Sequence, residues 1–134
     1  MPPLIVTAAV LHHRDTVLIT QRRPACRLAG KWEFPGGKLE ADESPQDGLK
    51  REIREELGIE ITVGDIFAVC YHRYDWGTAL ILAYTCQPLS LAIENREVAD
   101  HRWVTPAAID AFEMLPADEP IVRKLQHIGR EYFC

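Results

Sequence analysis

The sequence predicts an α/β/α sandwich built around a mixed β-sheet, and three observations carry that expectation. An apolar run, Leu4 to Leu11 (LIVTAAVL), opens the chain and suits a strand buried on both faces. A capped, acidic, amphipathic helix between Ser44 and Gly58 interrupts the strand-like segments once. A second helical pattern, from about Glu119 to Phe133, closes the chain. With 134 residues and 47% hydrophobic content, a single domain over 1–134 can bury a real core.

The elements follow in order. Val17 to Thr20 continues after a turn at His13 to Asp15, so the first two strands are expected to pair as a hairpin. Gln21, Arg22 and Arg23 place polar and cationic groups directly after it, and Pro24 to Lys31 reads as a loop. Trp32 to Phe34 is a short extended segment leading through Pro35 into a Gly36-Gly37 turn, where the missing side chains would let backbone come close to something.

The central helix has the clearest signals. Ser44 offers a hydroxyl cap, Pro45 a preset first position, Asp47 a negative charge near the positive end, and Gly58 a stop. Leu49, Ile53 and Leu57 recur every fourth residue and form one apolar stripe. Glu52 and Glu56 border that stripe, while Glu55 lies further round, four residues after Arg51. Acids crowded beside a buried face repel one another, and a hard divalent cation would stabilise them.

Beyond the helix, Ile59 to Val63 and Ile66 to Tyr71 read as two strands broken by Gly64-Asp65. Tyr74 to Gly77 reads as a turn, with His72 and Arg73 solvated at its rim, before a long buried strand from Thr78 to Cys86. Leu89 to Ile93 is expected to form another short strand, and Glu94 to Asp100 an acidic loop carrying Glu97. Thr105-Pro106 marks a short helix through Ile109, and the last helix presents Ile121 or Val122, Leu125 and Ile128 or Gly129 as its apolar face.

Composition narrows the partners. A formal charge of -5 argues against duplex nucleic acid, which needs a basic face, while a bound cation would still admit free nucleotides. No apolar run approaches a membrane span. Cys26, Cys70, Cys86 and Cys134 show neither paired spacing nor a secretory signal ahead of them, so free thiols and a cytoplasmic setting are expected. Monomer and homodimer both remain open.

Gly37, Glu43, Arg51, Glu52, Ile53, Glu55, Glu56, Gly58 and Ile59 together resemble the Nudix box, over residues 37–59, with no departure at any defined position. Weaker resemblance to the MutT-type branch extends through Trp32 to Lys38 and through Leu115 to Pro120. The resemblance implies the same α/β/α arrangement, Mg²⁺ as cofactor with Mn²⁺ as a substitute, and hydrolysis of a nucleoside triphosphate to monophosphate and pyrophosphate. It implies Gly36, through its carbonyl, with Glu52, Glu55, Glu56 and Glu97 as metal-holding positions. Glu52 becomes the leading general base, Glu97 its rival, and Arg51 the residue that holds the carboxylates in place. Arg22, Glu33, Phe34, Pro35, Gly36 and Lys38 are then expected to meet the substrate.

By the same resemblance Asp118, just before Glu119-Pro120, is expected to read the base, at a position where MutT itself carries Asn and the bacterial CTP pyrophosphohydrolases carry Asp in a similar Pro-Ala-Asp context. An ionised Asp offers acceptors only, whereas Asn also donates. Arg27 stands where that branch has a histidine. The implied substrates are an oxidised nucleotide such as 8-oxo-dGTP, or alternatively CTP, dCTP or 5-methyl-dCTP. A non-catalytic nucleotide-binding module is the third reading, and its mark would be missing box glutamates, of which none is missing here.

Overall fold

The computed structural model describes residues 2–133, with side chains described as far as Ile128. Gly129, proposed for the apolar face of the last helix, has no described side-chain environment, and Cys134 lies outside the described residues. Seven strands, β1 (Leu4–His13), β2 (Thr16–Gln21), β3 (Trp32–Glu33), β4 (Gly36–Lys38), β5 (Ile61–Tyr74), β6 (Gly77–Pro88) and β7 (Asp100–Val104), are joined with two α-helices, α1 (Pro45–Leu57) and α2 (Glu119–Phe133). Short 3₁₀ segments at Pro106–Ala111 and Pro116–Asp118 lead into α2.

β1 organises the sheet. One of its edges pairs with β6 in parallel from Leu4↔Ala79 to Leu11↔Cys86. Its other edge is shared: β4 pairs antiparallel at Val6 to Ala8, and β2 at His12 and His13. The sheet therefore mixes both senses, as expected.

Alternation along the strands sorts the core into two layers. Ala8 and Val10 of β1, with Val17, Ile19, Ile81 and Ala83, pack with Ile121, Val122 and Leu125 of α2. Ala9 and Leu11, with Leu18, Tyr84 and Cys86, pack with Leu49, Ile53 and Leu57 of α1. The two helices thus cover opposite faces.

Three local expectations are corrected. The Gly36-Gly37 pair is not a turn but strand β4. A Cβ on Gly36, whose φ is +154°, would lie 2.0 Å from the Thr7 carbonyl oxygen, so glycine here permits two backbones to approach rather than the chain to reverse. Gly64-Asp65 does not break a strand. β5 runs on through it and absorbs the irregularity as register shifts between Val63 and Ile66 and between Ile66 and Ala68. Leu89 to Ile93 forms no strand; Leu89 and Leu91 are exposed, and local bonds from Ala92 N–H to Ser90 Oγ and from Ile93 N–H to the Leu91 carbonyl hold the segment.

These glycines give a paired prediction. Gly36→Ala forces a Cβ into backbone and should lower the urea midpoint sharply, whereas Gly37→Ala meets only the Glu52 carboxyl, 2.5 Å away at the end of a flexible side chain. Gly37→Ala should therefore stay folded but displace Glu52 and lose activity. Urea titration and turnover of both variants check this, and equal stability losses would contradict it.

Candidate active site

α1 carries the acids to their places. Ser44 Oγ accepts from Asp47 N–H at 3.1 Å, and Gly58 ends the helix in the left-handed region at φ 69°. Burial of Leu49, Ile53 and Leu57 fixes the rotation of the helix about its axis. Glu52 and Glu56 consequently flank the sheet, and Glu55 faces outward.

The loop after β6 is tied to the end of this helix. Arg96 and Glu97 donate their backbone N–H groups to the Glu56 carbonyl at 3.0 and 3.2 Å, and Glu94 N–H reaches the Leu57 carbonyl at 3.0 Å. These bonds satisfy carbonyls that a helix end leaves unpaired. They also bring Glu97 beside Glu56.

Arg51 gathers the carboxylates around it. Its Nε and Nη2 grip Glu43 at 3.0 and 2.7 Å, its Nη1 reaches Glu52 at 3.1 Å and Glu55 at 3.2 Å, and Nη2 also donates to the Lys38 carbonyl. The Arg51 hydrogen bond, aided by the Glu40 amide, holds the Glu43 carboxyl down at about 2. A carboxyl depressed in the folded state stabilises above its ordinary range and loses that contribution only as pH falls towards about 2. The clamp should thus survive at pH 4. A lysine cannot reproduce the fork, so Arg51→Lys should lower both thermal stability and turnover, the latter ~10–100-fold through misplaced carboxylates. Unchanged kcat in this variant would remove Arg51 from the site.

Glu56 is half-buried beside the sheet. Burial raises its proton affinity well above the usual range, the charges of Glu52 and Glu33 add to this, the Gly36 amide opposes it at 3.3 Å, and Glu97 adds a smaller push. Glu52 is raised first by burial, with Arg51 opposing and Glu55 and Glu97 adding. A crowded carboxylate with only an amide donor against it is what a hard divalent cation would compensate, and the surrounding donors are all oxygens. The donor chemistry thus fits a divalent ion. Among the described residues, no three His, Cys, Asp or Glu side chains already stand arranged around one point, since Glu52 and Glu55 turn to Arg51 and Glu56 to Gly36.

A cavity of about 1040 Å³ opens beside these acids, bounded by Glu56, Glu97, Gly36, Gly37 and Lys38 on one part and by Phe34, Leu115, Ala117 and Asp118 on another. Arg22, Arg23, Arg27, Arg73 and Lys38 also line it, facing the acids Glu33, Glu56, Asp75, Glu97 and Asp118, so the cavity places cationic side chains beside acidic ones. Arg22 pairs with Glu33 at 2.9 Å, and its Nε donates to the Arg27 carbonyl at 2.6 Å. Burial raises Glu33, and Arg22 counters it.

Asp118 sits 5% exposed in the cavity wall, with Oδ2 accepting the Phe34 N–H at 3.0 Å. Burial pushes its carboxyl up to about 7, the Phe34 amide and Arg22 opposing and Glu33 adding. Phe34 N–H meets Asp118 and Gly36 N–H meets Glu56, so the short link between β3 and β4 ties the buried aspartate to the acidic helix.

The cavity does not take every expected residue. Arg22, Glu33, Phe34, Gly36, Lys38, Glu56, Glu97 and Asp118 line it together. Pro35 is buried in the sheet with its carbonyl taken by Ala9 N–H at 2.8 Å, and Arg51, Glu52 and Glu55 stand outside the wall, with Glu52 directly behind Gly37. It adds Arg23, Arg73, Tyr74 and Trp76, which as sequence read as loop, rim and turn. The signal available for them was two aromatics two residues apart beside a cation at a hairpin tip.

Residues 1–125 match the NUDIX domain family model. The chain belongs to the Nudix family. It is 34% identical over 122 residues to a protein of Escherichia coli (strain K12) named CTP pyrophosphohydrolase, covering 91% of this chain and 90% of that one. It is 30% identical over 121 residues to a Haemophilus influenzae protein named 8-oxo-dGTP diphosphatase, covering 90% and 89%. A solved MutT protein structure from Methanosarcina mazei Go1 superposes with a TM-score of 0.78 at 28% identity, over 98% of this chain and 96% of that chain. As a Nudix hydrolase, the chain acts on phosphoric anhydrides, and Nudix hydrolases generally use divalent metal ions, typically Mg²⁺.

Proposed function

We propose that this Nudix hydrolase is a Mg²⁺-dependent nucleoside triphosphate pyrophosphohydrolase, releasing a nucleoside monophosphate and pyrophosphate, with oxidised nucleotides such as 8-oxo-dGTP as its substrates. The observation that supports this reading is the cavity itself, where one segment, Phe34 to Gly36, hydrogen-bonds the buried Asp118 carboxyl at one end and Glu56 of the Nudix helix at the other. Glu52, Glu55, Glu56, Glu97 and the Gly36 carbonyl would hold the cation. When bound, Mg²⁺ draws off charge developing on the phosphoryl oxygens and favours ionisation of water.

The chain's own residues do the rest. Lys38 and Arg22 bind the polyphosphate by charge, and Arg51 holds Glu52 and Glu43 in orientation. Glu52, whose proton affinity burial raises, is the leading general base, and Glu97, which lines the cavity, is its rival. Attack on the β-phosphorus is then balanced by departure of the nucleoside monophosphate. Hydrolysis in ¹⁸O-labelled water tests this, since the label should appear in pyrophosphate; label in the monophosphate would contradict it.

One observation favours a second reading. Asp118, protonated near neutrality, offers a donor and an acceptor side by side, which suits the N3 and N4 edge of cytosine, and the Escherichia coli relative carries the name CTP pyrophosphohydrolase. CTP, dCTP and 5-methyl-dCTP are therefore the competing substrates. A single small domain over 1–134 in the cytoplasm, monomeric or dimeric, fits either reading.

A further inference from the structure

The hairpin tip between β5 and β6 lines the same cavity, and it carries two aromatic rings. Tyr74 and Trp76 stack with centroids 5.0 Å apart and planes 9° from parallel. Trp76 is nevertheless 46% exposed while lining the cavity, so part of its indole surface is open for a flat partner to cover. Arg27, from the loop that follows β2, stands with its guanidinium 5.8 Å from the Trp76 ring centroid. The two loops thereby meet across the cavity.

Tyr74 links this rim to the buried aspartate. Burial raises its phenol, the charges of Asp118 and Glu33 add, and Arg22 and Arg27 oppose. Tyr74, Asp118, Glu33, Arg22 and Arg27 all line the one cavity.

We propose that Trp76, braced by Tyr74 on one face, is a specificity-determining residue whose exposed indole surface forms the aromatic wall on which the substrate's nucleobase stacks, displacing the Arg27 guanidinium that lies over the ring. The inference rests on the nucleotide-hydrolase reading for its ligand class but not for its test. Stacking is tolerant of which base is present, so Trp76 supplies affinity for any flat base while the hydrogen-bonding edge is read elsewhere.

The test is a binding titration of the full chain with a nucleoside monophosphate and, separately, with pyrophosphate, in wild type, Trp76→Ala and Trp76→Phe. Base stacking removed by alanine substitution predicts weaker monophosphate binding by ~5-fold or more in Trp76→Ala, recovery in Trp76→Phe, and no change for pyrophosphate. Because Trp76 is exposed at a hairpin tip, Trp76→Ala should keep its circular dichroism and melting temperature. Equal monophosphate affinities in wild type and Trp76→Ala would overturn the stacking wall. So would an equal loss for pyrophosphate. If wild type binds the monophosphate through Trp76 yet hydrolyses no triphosphate, the wall stands and the triphosphate reading falls.

Discussion

Glu56→Gln should abolish most turnover and leave the fold in place. The carboxyl is buried against its like-charged neighbours, and Gly36 N–H is its hydrogen-bond donor. Glutamine keeps an oxygen for that amide and the same volume, so packing around Leu57 and Ile53 is undisturbed. What it loses is the charge that a divalent cation would need. The expected loss in kcat is on the order of 100-fold or more. Steady-state kinetics with Mg²⁺, alongside a urea melt, check both halves. Turnover within a few-fold of wild type would remove Glu56 from the metal-holding set.

Asp118→Asn should change which substrate wins rather than whether hydrolysis occurs. Asn fixes one donor and one acceptor at every pH and can still accept from Phe34 N–H. The aspartate instead changes character with pH, because its carboxyl titrates at about 7. Above that value, acceptors alone face the base and favour an edge with two donors, such as the ring and amino N–H groups of guanine. Below it, a donor beside an acceptor favours cytosine. One good pairing of this kind discriminates by ~1–3 kcal/mol, so the ratio of kcat/KM for guanine and cytosine substrates should move ~5–150-fold across pH 6 to 8 in wild type and stay flat in Asp118→Asn. Glu33 and Arg22 also face Asp118, and neither variant alters them.

The same group makes a stability prediction of definite sign. Its folded-state pKa lies above the ordinary 3.8, so the folded form holds a proton that the unfolded form has released between about pH 4 and 7. Stability should fall as pH rises through that window, and Asp118→Asn should escape the fall. At pH 8 the variant should be more stable, by at most ~4 kcal/mol. Ratios and melts that respond to pH identically in both proteins would show that Asp118 neither titrates near 7 nor reads the base.

How far the sequence revealed these groups depended on how far apart their partners lie. α1 was legible throughout, because Ser44, Pro45 and Gly58 act within a turn of where they stand and the Leu49, Ile53, Leu57 stripe sets its own orientation. Arg51 with Glu55 was legible at helical spacing for the same reason. The Gly36-Gly37 pair was misread because its meaning lies in Thr7 and Ala8, which are distant in sequence. A glycine that lets two strands meet looks like a glycine that lets one chain turn. Gly64 raised the same ambiguity, and pairing with β6 resolved it in favour of a bulge. Asp118 was legible only through the family resemblance, since its burial follows from the Phe34 amide. Trp76 and Arg27 come from separate loops whose encounter no local pattern encodes.

The most direct measurement is a steady-state comparison of kcat/KM, by pyrophosphate release with Mg²⁺, for 8-oxo-dGTP, dGTP, CTP, dCTP and 5-methyl-dCTP. The account predicts pyrophosphate release with a large preference for 8-oxo-dGTP over dGTP. Preference for the cytosine nucleotides would contradict the oxidised-purine assignment and move the chain to the pyrimidine reading. Absence of pyrophosphate with every one of the five would contradict the pyrophosphohydrolase account itself.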